Sequence, residues 1–508
     1  MPSVPSRPVA GAFALPSAFH SFWRPRLAFL FAVFAATLAA CGGGGGSSTS
    51  SSTTTNFPAA AQATWTWWGG SQLGDAASVY GTEGVAAASS MPGGRTFAAS
   101  WTDSNGNFWL FGGQSGGQSA GTSSTALLND LWMYNPSTKE WTWEGGSDTG
   151  GASGVYGTEG SAAPGNMPGA RDGAVTWVDH NGDFWLFGGN GYDAAGTSGN
   201  LNDLWMYSPS TKEWTWEGGS NTVNASGVYG SEGAAAATNM PGARASAVSW
   251  VDHNGNLWLF GGDGVDSAGT NGALNDLWMY NPSTKEWTWV GGSSTANAIG
   301  VYASSGTANA GNVPGARGSA VGWVDANGNL WLFGGYGYDS AGTDGYLNDL
   351  WMYNIATGQW TWECGNDTAN ANGGNSTNGQ IYNGETPGGL MDPVAWTDAQ
   401  GNLWMFGGYG VSAGDVGYFD QVWMYDPNSA IHGWAYEGGY ASQNYGPGYP
   451  AQGTPVPSFD PYCPVTRDGA SGWVDSSGNL WMFGGTGSYA GANDLSDLWD
   501  YTPLPGQP

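Results

Sequence analysis

The chain has 508 residues, of which 89 are Gly and 31 are Trp, and its 11 basic and 40 acidic residues give a net charge of −29. Broad nucleic-acid binding is excluded because a phosphate backbone requires clustered Lys and Arg. Disorder is disfavoured because 14% of the residues are aromatic. Abundant Gly together with bulky aromatic residues is typical of an all-β, turn-rich protein.

Residues 1–40 have the layout of a secretory signal. Arg24 and Arg26 precede an apolar run over residues 27–40, which is too short to span a bilayer comfortably. The run ends in Leu-Ala-Ala-Cys at Cys41, which resembles a bacterial lipobox. The resemblance implies that Cys41 carries a lipid, and Gly42 after it favours the outer membrane; an ordinary signal peptide is the alternative. We therefore expect an outer-membrane lipoprotein, periplasmic or at the cell surface, held in the membrane only by its lipid through a flexible tether over residues 41–63.

Six similar segments follow, each built around a Phe-Gly-Gly string. The strings begin at Phe111, Phe187, Phe260, Phe333, Phe406 and Phe483. In the second segment, apolar alternation predicts strands over residues 174–178, 184–187, 204–207 and 214–216, with a tight Asn-Gly hairpin between the first two. Repeats of about 73 residues with four strands each are typical of propeller blades.

The two ends of the chain predict how such a ring closes. Fourth strands carry Trp-Thr-Trp, or Trp-Ala-Tyr at Trp434, but the sixth segment stops after its third strand at Tyr501. An unattached Trp-Thr-Trp begins at Trp65. We expect this strand to complete the last blade, which removes two exposed sheet edges. The prediction is an all-β, six-bladed propeller over residues 64–502, with a C-terminal tail over residues 503–508.

The spacing of Gly, Tyr and Trp in each segment resembles kelch repeats. The second segment has a Gly pair at Gly188 and Gly189, then Tyr207, then Trp214. The first four segments share this pattern, the fifth stretches it, and the sixth borrows Trp65. The likeness spans roughly residues 65–501 and implies a six-bladed kelch propeller, a fold similar to the propeller of galactose oxidase.

Two sets of recurring residues need an interpretation. Of the 31 Trp residues, 29 occupy strand positions that recur between segments, so they are predicted to be structural. Arg recurs at the entrance to the first strand, and Leu390 takes its place in the fifth segment. These arginines are Arg95, Arg171, Arg244, Arg317 and Arg467. They would ring the mouth of the central channel, where arginines of kelch adaptors grip acidic ligands; alternatively, each pairs with a neighbouring carboxylate.

Long connections share one face of such a fold and are the expected place of function. Three of them contain Val-Tyr-Gly followed by a Glu, which adds Tyr80, Tyr156 and Tyr229 to the ligand-binding candidates. Function is also expected where the repeat breaks, at Leu390, at Ile431-His432 and in the loop over residues 440–466. Cys364 and Cys463 depart from the repeat as well. A disulfide between them would tie down that loop in an oxidising compartment.

The residue types disfavour most enzyme classes. A galactose oxidase-like copper site needs two His, two Tyr and one Cys, whereas His180 and His253 occupy equivalent tight turns. The sequence shows no metal-ligand spacing, P-loop or nucleophile elbow, so no metal or cofactor is expected. We expect a monomeric binding module whose long-loop face takes an unknown protein or glycan. A periplasmic sugar mutarotase or epimerase with a convergent acid/base pair, and a glycan-binding lectin, are the alternatives.

Overall fold

The structure, a computed structural model, describes residues 62–116, 126–374, 386–412, 414–429, 433–439, 448–487 and 493–504. In these ranges all regular elements are β-strands, and all paired strands are antiparallel. No helix able to cross a membrane is found among these residues. The protein is therefore all-β, as predicted, and its many antiparallel sheets are consistent with a β-propeller. Cys41, almost the whole tether, Ile431-His432 and the start of the 440–466 loop lie outside the described residues.

Six units recur along the described chain, each with four strands paired in order. The first strands are Ala99–Thr102, Val175–Val178, Val248–Val251, Val321–Val324, Val394–Thr397 and Ser471–Val474. The second strands are Phe108–Ser115, Phe184–Tyr192, Leu257–Val265, Leu330–Phe333, Leu403–Phe406 and Leu480–Phe483. The third strands are Ala126–Asn135, Ser198–Ser208, Asn271–Asn281, Leu350–Asn354, Val422–Tyr425 and Leu498–Thr502. The fourth strands are Glu140–Gly145, Glu213–Gly218, Glu286–Gly291, Gln359–Cys364, Trp434–Gly438 and, in unit six, Thr64–Gly69.

Shorter strands extend each sheet on the side of the long loops. In units four to six a separate hairpin follows the Gly pair, formed by Tyr336–Tyr338 with Asp344–Tyr346, Tyr409–Ser412 with Asp415–Tyr418, and Thr486–Gly487 with Asn493–Asp494. Two-residue strands pair with these extensions at Arg171–Asp172, Arg244–Ala245, Arg317–Gly318, Leu390–Met391 and Arg467–Asp468. Three edge strands lie beside fourth strands, at Ala235–Ala236, Thr307–Asn309 and Pro455–Pro457.

The second and third strands of unit two are longer than predicted because the Gly pair bends the sheet without ending it. Gly188 and Gly189 have φ of 67° and 96°, in the left-handed region. A Cβ on Gly188 would lie 2.6 Å from the carbonyl oxygen of Arg244 in the next unit. The pair therefore lets neighbouring units approach closely while the strand continues to Tyr192.

The N-terminal strand is integrated into the sixth sheet. Thr64–Gly69 pairs with Leu498–Thr502, with Trp65 opposite Tyr501. Pro455–Pro457 pairs along its other edge. The indole of Trp65 is 1% exposed, and its centroid lies 4.9 Å from the rings of both Phe406 and Tyr501. The strand thus packs against units five and six.

A circuit of main-chain hydrogen bonds links the inner edges of the six units. Each member lies two positions after the recurring Arg, or after Leu390, and donates its N–H to the carbonyl of its counterpart in the preceding unit over 2.8–3.0 Å. The members are Phe97, Gly173, Ser246, Ser319, Asp392 and Gly469, and Phe97 donates to Gly469. All six have φ between 53° and 61°. We call this set the hydrogen-bond circuit.

Tryptophans of the first strands connect each unit to the next through ring contacts and hydrogen bonds. The indole of Trp101 stacks on Phe184 at 5.3 Å, and its Nε1–H donates to the carbonyl of Trp185 at 3.1 Å. The same indole-to-carbonyl bond joins Trp177 to Trp258, Trp250 to Trp331, Trp323 to Trp404, Trp396 to Trp481 and Trp473 to Trp109. These residues are 3–4% exposed, so they are structural, as predicted.

The lysines of the third-to-fourth turns also connect neighbouring units. Lys212 and Lys285 donate to Glu144 and Glu217 at 2.7 and 2.6 Å. Lys139 instead lies 3.5 Å above the ring of Trp68, a cation–π contact. Trp68 holds in Thr64–Gly69 the position that Glu144 holds in its own strand, which explains a Trp outside the repeat pattern.

Candidate functional site

Each recurring Arg is buried and fully bonded within its own unit. Arg171 donates from Nη1 and Nη2 to the two carboxylate oxygens of Asp203 at 2.7 and 2.8 Å, from Nη1 to the Gly188 carbonyl and from Nε to the Gly169 carbonyl. Its side chain is 1% exposed. The equivalent pairs are Arg95–Asp130, Arg244–Asp276, Arg317–Asp349 and Arg467–Asp497. Because these donors are satisfied inside the protein, the arrangement matches the alternative of pairing with a neighbouring carboxylate.

The predicted loop tyrosines belong to the same networks. Tyr156 donates its O–H to Asp203 at 2.7 Å, and Trp205 donates its Nε1–H to the same oxygen at 2.8 Å. Tyr80 and Tyr229 bond Asp130 and Asp276 in the same way. Burial, and then the nearby carboxylate, raise the pKa of Tyr156 above its usual range. These hydrogen bonds hold the long loops on the sheets.

The fifth unit replaces the whole pair. Leu390, 2% exposed, stands where the other units have Arg, and Gln421 stands where they have Asp. Trp423 accordingly donates its Nε1–H to the Gln421 Oε1 at 3.1 Å. Both charges are absent together, so no buried charge lacks its partner at this position.

The two described cysteines do not form the predicted disulfide. Cys364 and Cys463 are free and buried, and they belong to different core clusters. The Cys463 thiol instead donates to the Pro457 carbonyl at 3.2 Å. Their sequence positions could not reveal this, because the separation of two units in space is not encoded in their spacing.

Both thiols are expected to resist alkylation in the folded protein. Burial raises the pKa of Cys364 and of Cys463 to about 12, so little thiolate forms at pH 8. Iodoacetamide followed by peptide mass mapping should leave both unmodified until urea is added, and should then modify both without a reductant. A requirement for reductant would contradict the free thiols.

The positions at which the units differ gather around the inner end of the long-loop face. They are the residue after the recurring Arg (or Leu390) and the residue paired with it on the second strand or the hairpin that follows. The six pairs are Thr96 with Gln114, Asp172 with Asn190, Ala245 with Asp263, Gly318 with Tyr336, Met391 with Tyr409, and Asp468 with Thr486. We call these residues, with Asp392 and the hairpin partners Tyr346, Tyr418 and Asp494, the channel mouth.

One side of the channel mouth is aromatic. Tyr336 and Tyr346 have ring centroids 5.2 Å apart, Tyr346 and Tyr409 are 5.9 Å apart, and Tyr409 and Tyr418 are 4.9 Å apart. Tyr336 is 41% exposed, and the other three are half-buried. Four rings from units four and five therefore form a continuous, solvent-accessible surface.

The other side of the channel mouth is acidic. Burial raises the pKa of Asp392 to about 7 and that of Asp468 well above its usual range, and neighbouring carboxylates add to both effects. The pKa of Asp494 is raised by burial and then by Asp75. Asp263 keeps the most solvent contact, and desolvation alone raises its pKa. No described Arg or Lys forms an ion pair with these four aspartates.

Asp392 is expected to make the free energy of unfolding depend on pH. Its folded pKa of about 7 lies above the ordinary value of 3.8 for an Asp side chain, so the charged form is disfavoured in the folded protein and stability falls as pH rises between these values. Asp392→Asn should therefore leave stability unchanged at pH 4 and raise it by about 2–4 kcal/mol at pH 8. Asn tolerates the left-handed φ of 53° at this position. Urea unfolding at both pH values tests this; an equal difference at both would contradict it.

A cavity lies among the first strands. This cavity of about 500 Å³ is lined by residues such as Ser100, Thr176 and Ser249 and by their neighbours in all six first strands. None of its lining residues is titratable. Among the described residues, no group of three or more His, Cys, Asp or Glu is placed to hold a metal ion. This cavity therefore offers no acid or base, in contrast to the channel mouth.

Comparison with known proteins gives little beyond this geometry. No protein-family model and no curated protein matches the chain. Among solved structures, the chain is similar to YjhT, with a TM-score of 0.46 and 16% sequence identity over 80% of this chain and 95% of that chain. At this identity and TM-score, the similarity carries no statement about the ligand or activity of this chain.

Proposed function

We propose that the six units are the blades of one closed kelch propeller over residues 64–502. The hydrogen-bond circuit supports this, because it passes from unit to unit and returns from Gly469 to Phe97. The indole-to-carbonyl bonds follow the same order, and Trp473 returns to Trp109. The pairing of Thr64–Gly69 with the third strand of unit six supplies its missing fourth strand.

The proposed function is ligand binding at the channel mouth of the long-loop face. One observation carries this proposal: the units repeat Arg, the Gly pair and Trp, yet the six pairs around the mouth all differ. The repeated framework thus presents a different pair of side chains at the same place in every unit. The tyrosines and aspartates at these positions are groups that contact ligands.

A binding survey of the full chain on glycan, protein and metabolite arrays tests the proposal. Changing Tyr336 and Tyr409 to Ser should abolish the strongest signal, because it removes the accessible aromatic surface. Val79 and Val155, each half-exposed on repeated long loops, provide the matched control. Their change to Ser should leave the signal intact; loss of binding in this control alone would move the site to the outer loops.

The N-terminal residues 1–63 have a function of their own in this proposal. We propose that the chain is cleaved before Cys41, lipidated there and held in the outer membrane, facing the periplasm or the cell surface. The signal-like composition of residues 1–40 and the following Gly/Ser/Thr stretch support it. Metabolic labelling with palmitate should mark the wild-type protein and fail to mark Cys41→Ser.

A second candidate function, an acid/base enzyme of the sugar mutarotase type, is favoured by one observation. Asp392 and Asp468 interact, burial raises the pKa of Asp392 to about 7, and the pKa of Asp468 is raised well above its usual range; coupled carboxyl groups with raised pKa values can serve as an acid/base pair. Exchange between sugar anomers, followed by NMR magnetisation transfer, should then be accelerated by the protein and not by Asp468→Asn. Unchanged exchange rates would exclude this activity for the sugars tested.

A further inference from the structure

The channel mouth holds five carboxylates without a counter-charge, and four of them interact with one another. The fifth is Asp172 of unit two, whose pKa is raised by burial to about 6. Asp263 belongs to unit three, Asp392 to unit five, and Asp468 and Asp494 to unit six. Asp392 interacts with Asp263 and Asp468, and Asp468 also interacts with Asp494. The described arginines are each bonded to another Asp, and the described lysines lie in the tight turns at the opposite ends of the strands.

Asp468 gives the clearest indication of the charge that a ligand would carry. It is 7% exposed, and its carboxylate receives no hydrogen bond from any other described residue, only one from its own main-chain N–H. An ionised carboxylate this enclosed is costly unless a positive group or donors approach it. The mouth is therefore complementary to a ligand that brings positive charge.

The tyrosine surface beside these carboxylates narrows the ligand class. Aromatic faces attract cations and also pack against the apolar methylene stems that carry them. Asp468 interacts with Tyr346 and Tyr418, so the aromatic and acidic sides of the mouth adjoin. A ligand with ammonium groups on methylene chains would use both sides, whereas a bare metal ion would use only one.

We propose that the channel mouth binds an aliphatic polyamine, with its ammonium groups on the aspartates and its methylene groups against the tyrosines. This inference rests on the proposed binding function of the mouth and names its ligand class. Several ammonium groups are favoured over one because the four interacting carboxylates come from three different units. The net charge of −29 attracts such a cation to the protein from a distance.

Binding is expected to strengthen with pH. Alkylammonium groups have a pKa of about 10.4 and stay charged between pH 5.5 and 8, whereas Asp392 has a pKa of about 7. A bound cation therefore displaces protons at the lower pH. The titratable or polar groups near Asp392 and Asp468 are Asp263, Asp494, Ser319, Tyr346 and Tyr418, and Asp75 adjoins Asp494. The tyrosines stay neutral in this range because their pKa values are raised to about 12.

Calorimetric titration of the full chain with spermidine in 150 mM salt tests the proposal. Asp468→Asn should weaken binding about tenfold, since it removes the enclosed charge. Asp148→Asn, a change of an exposed aspartate outside the mouth, removes the same charge and should change affinity less than about twofold. Wild-type affinity should be higher at pH 8 than at pH 5.5. Thermal melting confirms that both variants fold.

The outcomes separate this inference from the function on which it rests. Equal weakening by both variants would overturn it, because attraction would then be non-specific. Selective binding of Ca²⁺, of a Lys-rich peptide or of a neutral sugar at the mouth would overturn the polyamine and leave the binding function standing. If spermidine does not bind and no array signal depends on Tyr336 and Tyr409, both are overturned.

Discussion

Arg244→Leu is expected to cost about 3–5 kcal/mol of the free energy of unfolding, because it leaves the Asp276 carboxylate buried without its partner. Adding Asp276→Gln copies the fifth unit, where Leu390 and Gln421 occupy these two positions. The double variant should recover at least about 2 kcal/mol, since Gln can accept the indole hydrogen bond as Gln421 does.

Urea unfolding followed by Trp fluorescence measures this double-mutant cycle. Lys285→Ala is the matched control for a lost ion pair at the surface, because the Lys285 side chain is 54% exposed. It should cost less than about 1 kcal/mol. Additive costs in the cycle would show that Arg244 and Asp276 do not act as a pair.

Trp65→Ala is expected to destabilise the protein as much as the same change within a central unit. Trp65 and Trp287 hold equivalent positions in fourth strands, and they are 1% and 2% exposed. Each truncation should lower the free energy of unfolding by about 3–5 kcal/mol through the lost burial and the cavity that remains. The midpoint of urea unfolding is the measurement.

A control substitution at an exposed position near the N-terminal strand allows this measurement to test ring closure. Leu73 follows the N-terminal strand and is 69% exposed, so Leu73→Ala should change stability by less than about 0.5 kcal/mol. If Trp65→Ala were as mild as Leu73→Ala, the N-terminal strand would not belong to the cooperative fold. The closed propeller proposed above would then be wrong.

The sequence was sufficient to predict the all-β class and the strands, because apolar alternation, Asn-Gly turns and Trp recur at fixed spacing. The roles of Arg171 and Tyr156 were harder to predict. The sequence places both on the side of the long loops, Arg171 at the entrance to a first strand and Tyr156 in a long loop. Only the packing shows that both donate their hydrogen bonds to Asp203. The joint loss of Arg and Asp in the fifth unit, at Leu390 and Gln421, is the sequence signal that indicates a structural pair.

The sequence predicted part of the location of the channel mouth, but not the set of residues that form it. The breaks in the repeat pointed to units five and six, where Tyr409 and Asp468 lie, and comparing the residue after each Arg would have found the remaining positions. Their meeting across units depends on three-dimensional proximity, such as the 5.9 Å between Tyr346 and Tyr409. Tyr449, which bonds Asp497 from the irregular last loop, lies 48 residues before its Asp, and Tyr156 lies 47 before Asp203; this spacing could have identified it as the counterpart of Tyr156.

The register of the N-terminal strand decides from which end of the sixth sheet this strand starts. Thr64 lies opposite Thr502, where the last third strand ends, so the strand starts at the end of the sheet that carries the tight turns. The residues of the channel mouth lie at the opposite end of the strands. Labels placed at residues 62 and 63 would therefore report on unfolding of this strand without touching the mouth.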